Sequence, residues 1–391
     1  MDPEVSVLLH CAAWGGAARV SAESLFCFPV LRFNRCTDPS LERQIEEMWA
    51  VRVSQAPWLF NGAKFRLHSF CLASPKYPSP SCVSPKHPPC THSSKVPTED
   101  CVEGWQNKQR REDLCNSAQE GVTQHAGSTL KQVSCTCGCT ESSAERPSQS
   151  DKNTDNEENG PLLILRLGLT CYKDYLGTNW SCRVDELRQR GEVEFSDPLA
   201  LLSQPLGVGA IMCTDDGQVV LIRRSQRVAE AGGLLDIPGG HPEPKVVCER
   251  LGQAVCEEQI SLGMMLQRPE AVVSELFSSI CAEIRDEVNI PLSSLGEPVL
   301  MGVALNHTSA GRPSAEFYIS CSLASEEVRK LYWKGGVEAH ESTDIIFLDR
   351  TEVAQLDSSS PLWSELCPSA KGAVLLYQTV KPEQMPKNGS R

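Results

Sequence analysis

An 86-residue stretch with few apolar side chains divides this 391-residue sequence into two parts. Residues 74–159 include seven Val or Leu residues and neither Ile nor Phe, while Ser and Pro occur in dense clusters. Such a segment cannot bury enough apolar surface to offset the conformational entropy that folding removes. We therefore predict that residues 74–159 form a disordered insertion and that the other 305 residues carry the folded structure.

The sequences on both sides of the insertion indicate one small α+β domain, formed by residues 1–73 and 160–204. Residues 65–70 alternate between apolar and polar side chains, and residues 162–169 are almost continuously apolar, as expected of two strands. Residues 40–53 have the apolar spacing of a helix, and Val5–His10 indicates a further strand. The insertion is then an enlarged connection between two strands of a hairpin.

A second unit at residues 205–380 has the pattern of an α/β sandwich, and residues 381–391 are expected to form a flexible tail. Helical patterns occur at residues 272–288 and 369–378. Strand patterns occur at residues 207–213, 219–222, 299–306, 316–322 and 344–348. Strands mixed with helices in this way favour a sheet with helices packed on its faces.

Charge and apolar content limit the classes of function. With 37 Lys and Arg against 50 Asp and Glu, the net charge is -13, which disfavours a general nucleic-acid binder because such proteins need a basic surface. No apolar run approaches the roughly 20 residues that span a bilayer. The start Met1-Asp2-Pro3-Glu4 lacks the basic residues of a signal peptide, so we expect a soluble cytoplasmic or nucleoplasmic protein.

That location favours free thiols over disulfides for the 19 cysteines. Seven of them lie in the predicted insertion, where Cys135, Cys137 and Cys139 form the densest group. Thiolates at this spacing could bind Zn²⁺ or Cu⁺. No His or Cys pair at finger spacing completes a tetrahedral site, so incidental thiols are the alternative interpretation.

The helical pattern at residues 272–288 carries three acidic residues close together, Glu283, Asp286 and Glu287. Residues three or four apart share one face of a helix, where like charges repel each other. A shared divalent cation relieves that repulsion, and carboxylate oxygens suit Mg²⁺ or Mn²⁺. The alternative is an acidic face exposed to solvent.

A Pro238-Gly239-Gly240 turn precedes this helix, and the two together resemble the signature of the Nudix hydrolases. That signature reads G-x5-E-x7-R-E-U-x-E-E-x-G-U, where U is an aliphatic residue. Gly240 matches its first glycine, and residues 283–290 match most of its last part.

Four features depart from the signature. Ala282 stands where the signature has arginine, and Asn289 stands where it has its second glycine. Glu275 is one residue out of register with the first glutamate. About 28 extra residues, from 244 to roughly 271, separate the two halves.

A further set of segments, within and beyond the signature, resembles the UDP-sugar diphosphatases of that family. They lie in both predicted domains, at residues 56–60, 176–180, 238–244, 275–279 and 367–372. The resemblance implies a Nudix α/β/α sandwich with a mixed sheet, preceded by the small α+β domain. It also implies cleavage of UDP-glucose or UDP-galactose into UMP and hexose 1-phosphate, with Mg²⁺ or Mn²⁺ as cofactor.

The same resemblance implies roles for individual residues. Glu283 and Glu287 would bind the metal and be the catalytic carboxylates. From the chemistry of the residues themselves, Glu287 is the first candidate for a general base. Glu316 is a weaker candidate, and the alternative for it is an ordinary edge-strand glutamate. The residues implied to contact the nucleotide sugar are Phe60, Tyr172, Arg224, Ala229, Asp236, His241 and Glu243.

Some of these roles can be compared with elementary chemistry. Arg223 and Arg224 end a predicted strand, and successive strand residues point to opposite faces, so only one of them can enter a site. The resemblance selects Arg224, whose guanidinium can bind phosphate through two hydrogen bonds. The rings of Phe60 and Tyr172 either stack on uracil or belong to the core.

Two other functions also fit the sequence. One is hydrolysis of another nucleoside diphosphate derivative, such as ADP-ribose or coenzyme A. The other is binding of a nucleotide sugar without catalysis, because Ala282 removes a residue that the signature contains. The sequence leaves open the preferred sugar, the oligomeric state and any protein partner.

Overall fold

The computed structural model describes most of the chain outside the predicted insertion. The described residues are 2–11, 19–22, 33–73, 162–228, 230–253, 255–265 and 268–384. The predicted disordered segment, including Cys135, Cys137 and Cys139, lies outside the described residues. So do Ala229 and most of the predicted tail.

The described residues form eleven strands and eight α-helices. The strands are β1 (Val5–His10), β2 (Arg19–Ala22), β3 (Ala63–Ala73), β4 (Leu162–Cys171), β5 (Gly207–Cys213), β6 (Gln218–Arg224), β7 (Leu235–Asp236), β8 (Gly239–Gly240), β9 (Val299–Asn306), β10 (Arg312–Ser320) and β11 (Ser342–Asp349). The helices are α1 (Pro39–Gln55), α2 (Tyr172–Gly177), α3 (Val184–Phe195), α4 (Pro244–Arg250), α5 (Pro269–Val288), α6 (Ser325–Tyr332), α7 (Arg350–Val353) and α8 (Pro368–Val380). Every strand and helix predicted from the sequence has a counterpart among them, with bounds that differ by a few residues.

Eight strands form a large mixed sheet. Its order is β1-β9-β10-β5-β6-β11, with β7 beside β6 and β8 beside β5. β10 runs parallel to β5, whereas β9 and β11 are antiparallel to β10 and β6. The sheet is therefore mixed, as the predicted fold class requires.

Helices cover both faces of this sheet, as the contacts of alternate side chains of β5 show. Ala210 belongs to the apolar cluster that contains Leu276 and Ile280 of α5. Ile211 belongs to the cluster that contains Ala373 and other residues of α8. Successive strand residues point to opposite faces. The α5 and α8 helices therefore lie on opposite sides of the sheet, which gives the predicted α/β/α sandwich.

The sheet opens between β5 and β6, and this opening locates the site. The two strands pair beside their turn, with Cys213 opposite Val219. Further along, Val208 and Gly209 of β5 pair with the two residues of β8, while β6 pairs with β7. The segment from Leu235 to Gly240 therefore lies between the two separated strands.

The small domain is built on a second sheet, in the order β2-β4-β3. β3 and β4 are antiparallel neighbours, as expected of the two strands on either side of the insertion. Phe65 of β3 and Leu165 of β4 join the same apolar cluster as α5, and β2 contacts α5 directly. The α5 helix is thus held between the large sheet and the small domain.

The position of β1 differs from the sequence expectation, which placed Val5–His10 in the small domain. β1 pairs antiparallel with β9 and forms an edge of the large sheet. Val5 packs in the apolar cluster beneath α8, next to Ala304 and Ala373. A strand pattern specifies which side chains are buried but not which sheet buries them, so the sequence could not make this assignment.

Two further properties concern the described residues. Every cysteine within them is a free thiol. None of their helices combines the length and the apolar composition needed to cross a bilayer.

A buried arginine joins the small domain to the chain that leads into the large sheet. Arg66 of β3 is 2% exposed, and its guanidinium donates to the carbonyl oxygens of Leu202 (3.1 Å), Phe33 (3.0 Å) and Leu199 (2.8 Å). Burial lowers the pKa of this guanidinium to about 10. The carbonyl groups of Leu202 and Phe33 receive no other donor from the described backbone, whereas that of Leu199 also accepts from the N–H of Leu202.

We predict that Arg66→Met lowers the free energy of unfolding by about 2–5 kcal/mol, because three hydrogen bonds are lost and the buried carbonyl groups of Leu202 and Phe33 lose their donor. Urea unfolding followed by circular dichroism measures the change. Arg43→Met on the exposed face of α1 is the control and should change the free energy of unfolding by less than about 0.5 kcal/mol. Equal midpoints for wild type and Arg66→Met would contradict the structural role.

Candidate active site

The Gly239-Gly240 turn lies directly against α5. The backbone N–H of Gly239 donates to Glu287 Oε2 (2.9 Å), and that of His241 donates to Glu283 Oε1 (3.1 Å). The N–H of Glu243 donates to Glu275 Oε1 (3.1 Å). We call residues 239–243 the site loop. Every second backbone N–H of this loop therefore donates to a glutamate of α5.

The two glycines allow this close approach. A Cβ atom on Gly240 would lie 1.9 Å from Glu283 Oε1, and one on Gly239 would lie 2.5 Å from the carbonyl oxygen of Val208. Any larger residue would push the loop away from the helix or from β5. The glycine pair that the sequence singled out is thus required by the neighbouring backbone and carboxylate.

Glu283 and Glu287 form a pair of desolvated carboxylates. Burial, followed by the carboxylate of Glu338, raises the pKa of Glu283 to about 7. Burial, followed by the carboxylate of Glu283, raises the pKa of Glu287 well above its usual range. The carboxylate of Asp286 instead pairs with Arg285 (2.6 Å). Two such carboxylates favour a shared positive charge between them.

The residues present suit a hard cation, although they do not form a complete cage. Within the described ranges, no three or more His, Cys, Asp or Glu side chains form a group that could hold a metal ion. Glu283 and Glu287 each use one oxygen for a loop amide, which leaves the other oxygen for a further ligand. Proteins commonly hold Mg²⁺ by one or two carboxylates together with water and the phosphates of a ligand. The pair fits Mg²⁺ in that role.

Two arginines interact with Asp236, whose charge also acts on Glu287. Arg224 Nη1 is 3.0 Å from Asp236 Oδ2, and its Nε donates to the backbone carbonyl of Glu230. Arg312 Nη2 is 3.3 Å from Glu230 Oε2. Arg223 points elsewhere, with its guanidinium 3.0 Å from the exposed carboxylate of Glu365. Arg224 is therefore the member of the Arg223–Arg224 pair that lies with Asp236.

The sequence patterns did not indicate Arg312, Glu230 or Tyr175. The Tyr175 hydroxyl donates to Glu230 and lies 3.2 Å from the Ser309 hydroxyl, and the Arg312 guanidinium carbon lies 5.8 Å from the centre of the Tyr175 ring. Among the described side chains, Arg312 Nε has no hydrogen-bond partner. Arg312 and Glu316 alternate with apolar residues in β10, and this pattern could have indicated a site. Polar side chains on a central strand are costly to bury unless they have polar partners.

Glu316 is buried but does not lie with Glu283 and Glu287. It is fully buried, and neither carboxyl oxygen makes a hydrogen bond of normal geometry with the described residues, although the Ser314 hydroxyl is close. Glu316 Oε2 and Ile237 both lie over Gly209, and Ile237 belongs to the cluster under α8. The weaker candidate for a general base therefore lies on the sheet face opposite α5.

His241 and Glu243 connect the loop to both domains. Burial, followed by the positive charges of Lys64 and Arg312, lowers the pKa of His241 well below its usual range, so its ring is neutral. Glu243 is exposed, and its carboxylate is 3.8 Å from Lys64 Nζ. Lys64 of β3 is thus a contribution of the small domain that the sequence did not indicate.

The two predicted aromatic residues differ in their surroundings. The half-buried Tyr172 ring has its centroid 6.3 Å from Trp49 and 6.5 Å from Tyr175. Phe60 is 63% exposed and takes part in none of the ring contacts found among the described residues. A cavity of about 250 Å³ opens nearby, lined by residues that include Asn61, Ala63 and Glu257, not by the predicted site residues.

The burial of Glu316 predicts a pH dependence of stability. Burial raises the pKa of its carboxyl from the ordinary 4.5 to about 8, so folding takes up a proton between these values. Stability from this group is therefore greatest below pH 4.5 and falls as the pH rises to about 8, where the loss is complete. We predict that Glu316→Gln removes this dependence and gains about 2–5 kcal/mol relative to wild type between pH 5 and pH 9.

The measurement is urea unfolding of wild type and Glu316→Gln at several pH values, with Glu47→Gln on the exposed face of α1 as control. The control should follow wild type at every pH. Parallel stability curves for wild type and Glu316→Gln would show that the buried carboxyl does not titrate in this way.

Comparison with known proteins gives clear relatives, although no family model matches the sequence. The protein called Uridine diphosphate glucose pyrophosphatase NUDT22 from Bos taurus is 39% identical over 382 residues, covering 97% of this chain and 99% of that protein. The Homo sapiens protein of the same name is 38% identical over 381 residues, covering 97% and 94%. Nudix hydrolase 9 from Arabidopsis thaliana is 34% identical over 211 residues, covering 54% and 65%.

Solved structures give weaker alignments. A MutT protein from Methanosarcina mazei Go1 aligns with a TM-score of 0.27 at 13% identity, over 46% of this chain and 95% of that one. A Nudix hydrolase from M. Smegmatis, RenU, aligns with a TM-score of 0.26 at 14% identity, over 47% and 89%. Neither score is high enough to support an inference.

Proposed function

The chain belongs to the Nudix hydrolase family of uridine diphosphate glucose pyrophosphatases, and we propose that it hydrolyses the diphosphate of UDP-glucose to UMP and glucose 1-phosphate with Mg²⁺. One observation carries the proposal beyond the relatives' name. The paired carboxylates of Glu283 and Glu287 meet a glycine turn, and the guanidinium of Arg224 interacts electrostatically with Glu287. An anionic substrate with a divalent cation complements both charges.

Glu283 and Glu287 are the residues we propose to hold the metal. When bound, Mg²⁺ supplies positive charge and Lewis acidity to the oxygens of the diphosphate. The positive charge of the cation then offsets the repulsion between the two carboxylates. Without it, burial and this repulsion disfavour the ionised forms, as their raised pKa values indicate. Mn²⁺ has the same preference for oxygen ligands and is proposed as a substitute.

Proton transfer is assigned to the carboxylate pair. Hydrolysis requires a water molecule to lose a proton as it attacks phosphorus, and a nearby carboxylate can accept that proton. Glu287 is our first candidate because it is the more buried of the two and lies beside the Gly239 amide. Glu316 is less suited because it lies on the sheet face opposite α5.

Arg224 and Asp236 are proposed to bind the UDP portion. A guanidinium can form two parallel hydrogen bonds to phosphate oxygens, and Asp236 can accept hydrogen bonds from ribose or base. Their mutual ion pair orients both groups before substrate binds. Preoriented groups lose less conformational entropy on binding than free side chains.

The remaining contacts are proposed from both domains. Tyr172 and Phe60 offer rings for stacking on uracil, and the exposed ring of Phe60 would have to be covered by the ligand. His241 and Glu243 lie on the site loop, where they would face the diphosphate or the sugar hydroxyls. Ala229 completes the set proposed from the family resemblance. UDP-galactose, which differs at one sugar hydroxyl, is proposed as a second substrate.

We predict that Glu283→Gln and Glu287→Gln each reduce the release of UMP from UDP-glucose by at least about 100-fold. Each substitution removes one negatively charged metal ligand, and Glu287→Gln also removes the first candidate for the proton acceptor. Chromatography of the products with Mg²⁺ present measures the release. Glu270→Gln, an exposed substitution in the first turn of the same helix, should keep wild-type turnover. Unchanged turnover in both site variants would refute the assignment.

The same assay separates the alternatives. Faster hydrolysis of ADP-ribose or coenzyme A than of UDP-glucose would indicate a different diphosphate substrate. Tight binding of UDP-glucose without release of phosphate compounds over hours would indicate a binding protein. UDP-galactose in the same panel measures the sugar preference.

We also predict that Arg224→Met raises the KM for UDP-glucose by about tenfold or more, because a phosphate-binding guanidinium is removed. Arg223→Met is a matched control, since Arg223 is the adjacent residue and pairs with Glu365 instead. Steady-state kinetics should give a KM within about twofold of wild type for that control. Equal effects of the two substitutions would mean that Arg224 has no special contact with substrate.

A further inference from the structure

The three glutamates that bind the site loop have different charge neighbours. Glu283 and Glu287 face each other and other carboxylates, and are proposed to bind the metal. Glu275 faces a cation instead, because Arg250 Nη2 lies 2.9 Å from Glu275 Oε2. Glu275 is therefore the loop-binding glutamate whose charge is already balanced by the protein.

Arg250 reaches Glu275 from the extra segment that interrupts the family signature. It occupies the last turn of α4, and α4 packs against α5. Its guanidinium also donates to Ser278 Oγ (2.8 Å), one turn further along α5. The two contacts fix the guanidinium on the surface of α5, beside a carboxylate that is only 3% exposed.

Glu275 connects Arg250 to the site loop. Its Oε1 accepts the N–H of Glu243, while its Oε2 faces Arg250. A buried carboxylate without a cation would be costly, and it would tend to gain a proton or leave its place. Either change would weaken the hydrogen bond to Glu243, since an ionised acceptor binds an N–H more strongly than a neutral one.

The site loop depends on this contact at one end. Gly239 is held within the sheet by its pairing with Gly209, so the first end of the loop has backbone support. At the other end, Glu243 directly precedes α4 and is tied to α5 by its hydrogen bond to Glu275. His241 lies between these two ends.

We propose that Arg250 is a positioning residue of the active site. Through Glu275 it holds the Glu243 amide on α5, and it thereby sets the position of His241 and Glu243 towards the substrate. The claim that Arg250 positions the loop (the structural half) is argued from the contacts alone. The claim that this position affects substrate binding (the kinetic half) rests on the proposed function.

Hydrogen–deuterium exchange of the full chain, without metal or substrate, tests the structural half. Arg250→Met and Glu275→Gln should each raise the exchange rate of peptides covering residues 239–243 by about threefold or more. Peptides from β9 should keep wild-type rates, because a general loss of stability would raise those as well. Arg268→Met, which removes an exposed ion pair with Glu270 from the same extra segment, is the matched control and should leave the loop unchanged.

Kinetics with UDP-glucose test the other half. Arg250→Met should raise KM by about threefold to tenfold with a smaller change in kcat, since it displaces binding groups and leaves the carboxylate pair in place. Arg250→Lys should recover part of the loss. The double variant Arg250→Met with Glu275→Gln should be no worse than Glu275→Gln alone, because both act through one contact.

Unchanged loop exchange in Arg250→Met, or additive kinetic losses in the double variant, would overturn the inference. Failure of the wild-type chain to hydrolyse UDP-glucose would instead refute the proposed function. The exchange experiment would then still decide whether Arg250 positions the loop.

Discussion

The hydrogen bonds between the site loop and the glutamates of α5 are the contacts on which the candidate site depends. They join Gly239, His241 and Glu243 to Glu287, Glu283 and Glu275, in reverse order along the helix. Each bond binds an N–H to a carboxylate that burial makes expensive to ionise. The loop amides offset part of that cost, and a cation between the carboxylates would offset more. The buried carboxylates therefore destabilise the fold when no ligand is bound, and the same carboxylates prepare the site to bind a cation.

The surroundings of α5 explain how a helix can carry buried charges. Leu276 and Ile280 pack beneath the large sheet, and β2 of the small domain contacts the same helix from elsewhere. These apolar contacts hold α5 firmly enough to tolerate a repelling pair of carboxylates. The small domain also brings Lys64 and Tyr175 to the site, so the chemistry is shared between the two domains. Ligand sites are common at junctions between domains.

Two of the four departures from the family signature have physical explanations in the fold. Asn289 caps α5 at φ 62°, a left-handed conformation that asparagine adopts more readily than most residues other than glycine. The extra residues 244–271 include α4, which supplies the Arg250 contact to Glu275. Much of the architecture was predictable, because strand and helix patterns report burial directly. The partners of β1 and the contacts of Arg312 were not, since a pattern along one chain does not specify which distant segment will lie beside it.

By itself, the sequence determined the α/β class, the order of the main strands and helices, and the glycine turn that precedes an acidic helix. These follow from local periodicity and from backbone conformations that particular residues allow. Tertiary structure alone decided that Glu283 and Glu287 meet the loop while Asp286 pairs with Arg285. It also decided that Glu316 is buried on the far side of the sheet and that Arg312 joins Glu230. The reason is that burial and charge pairing arise from segments distant in sequence, and these two effects set the chemistry of every carboxylate in the site.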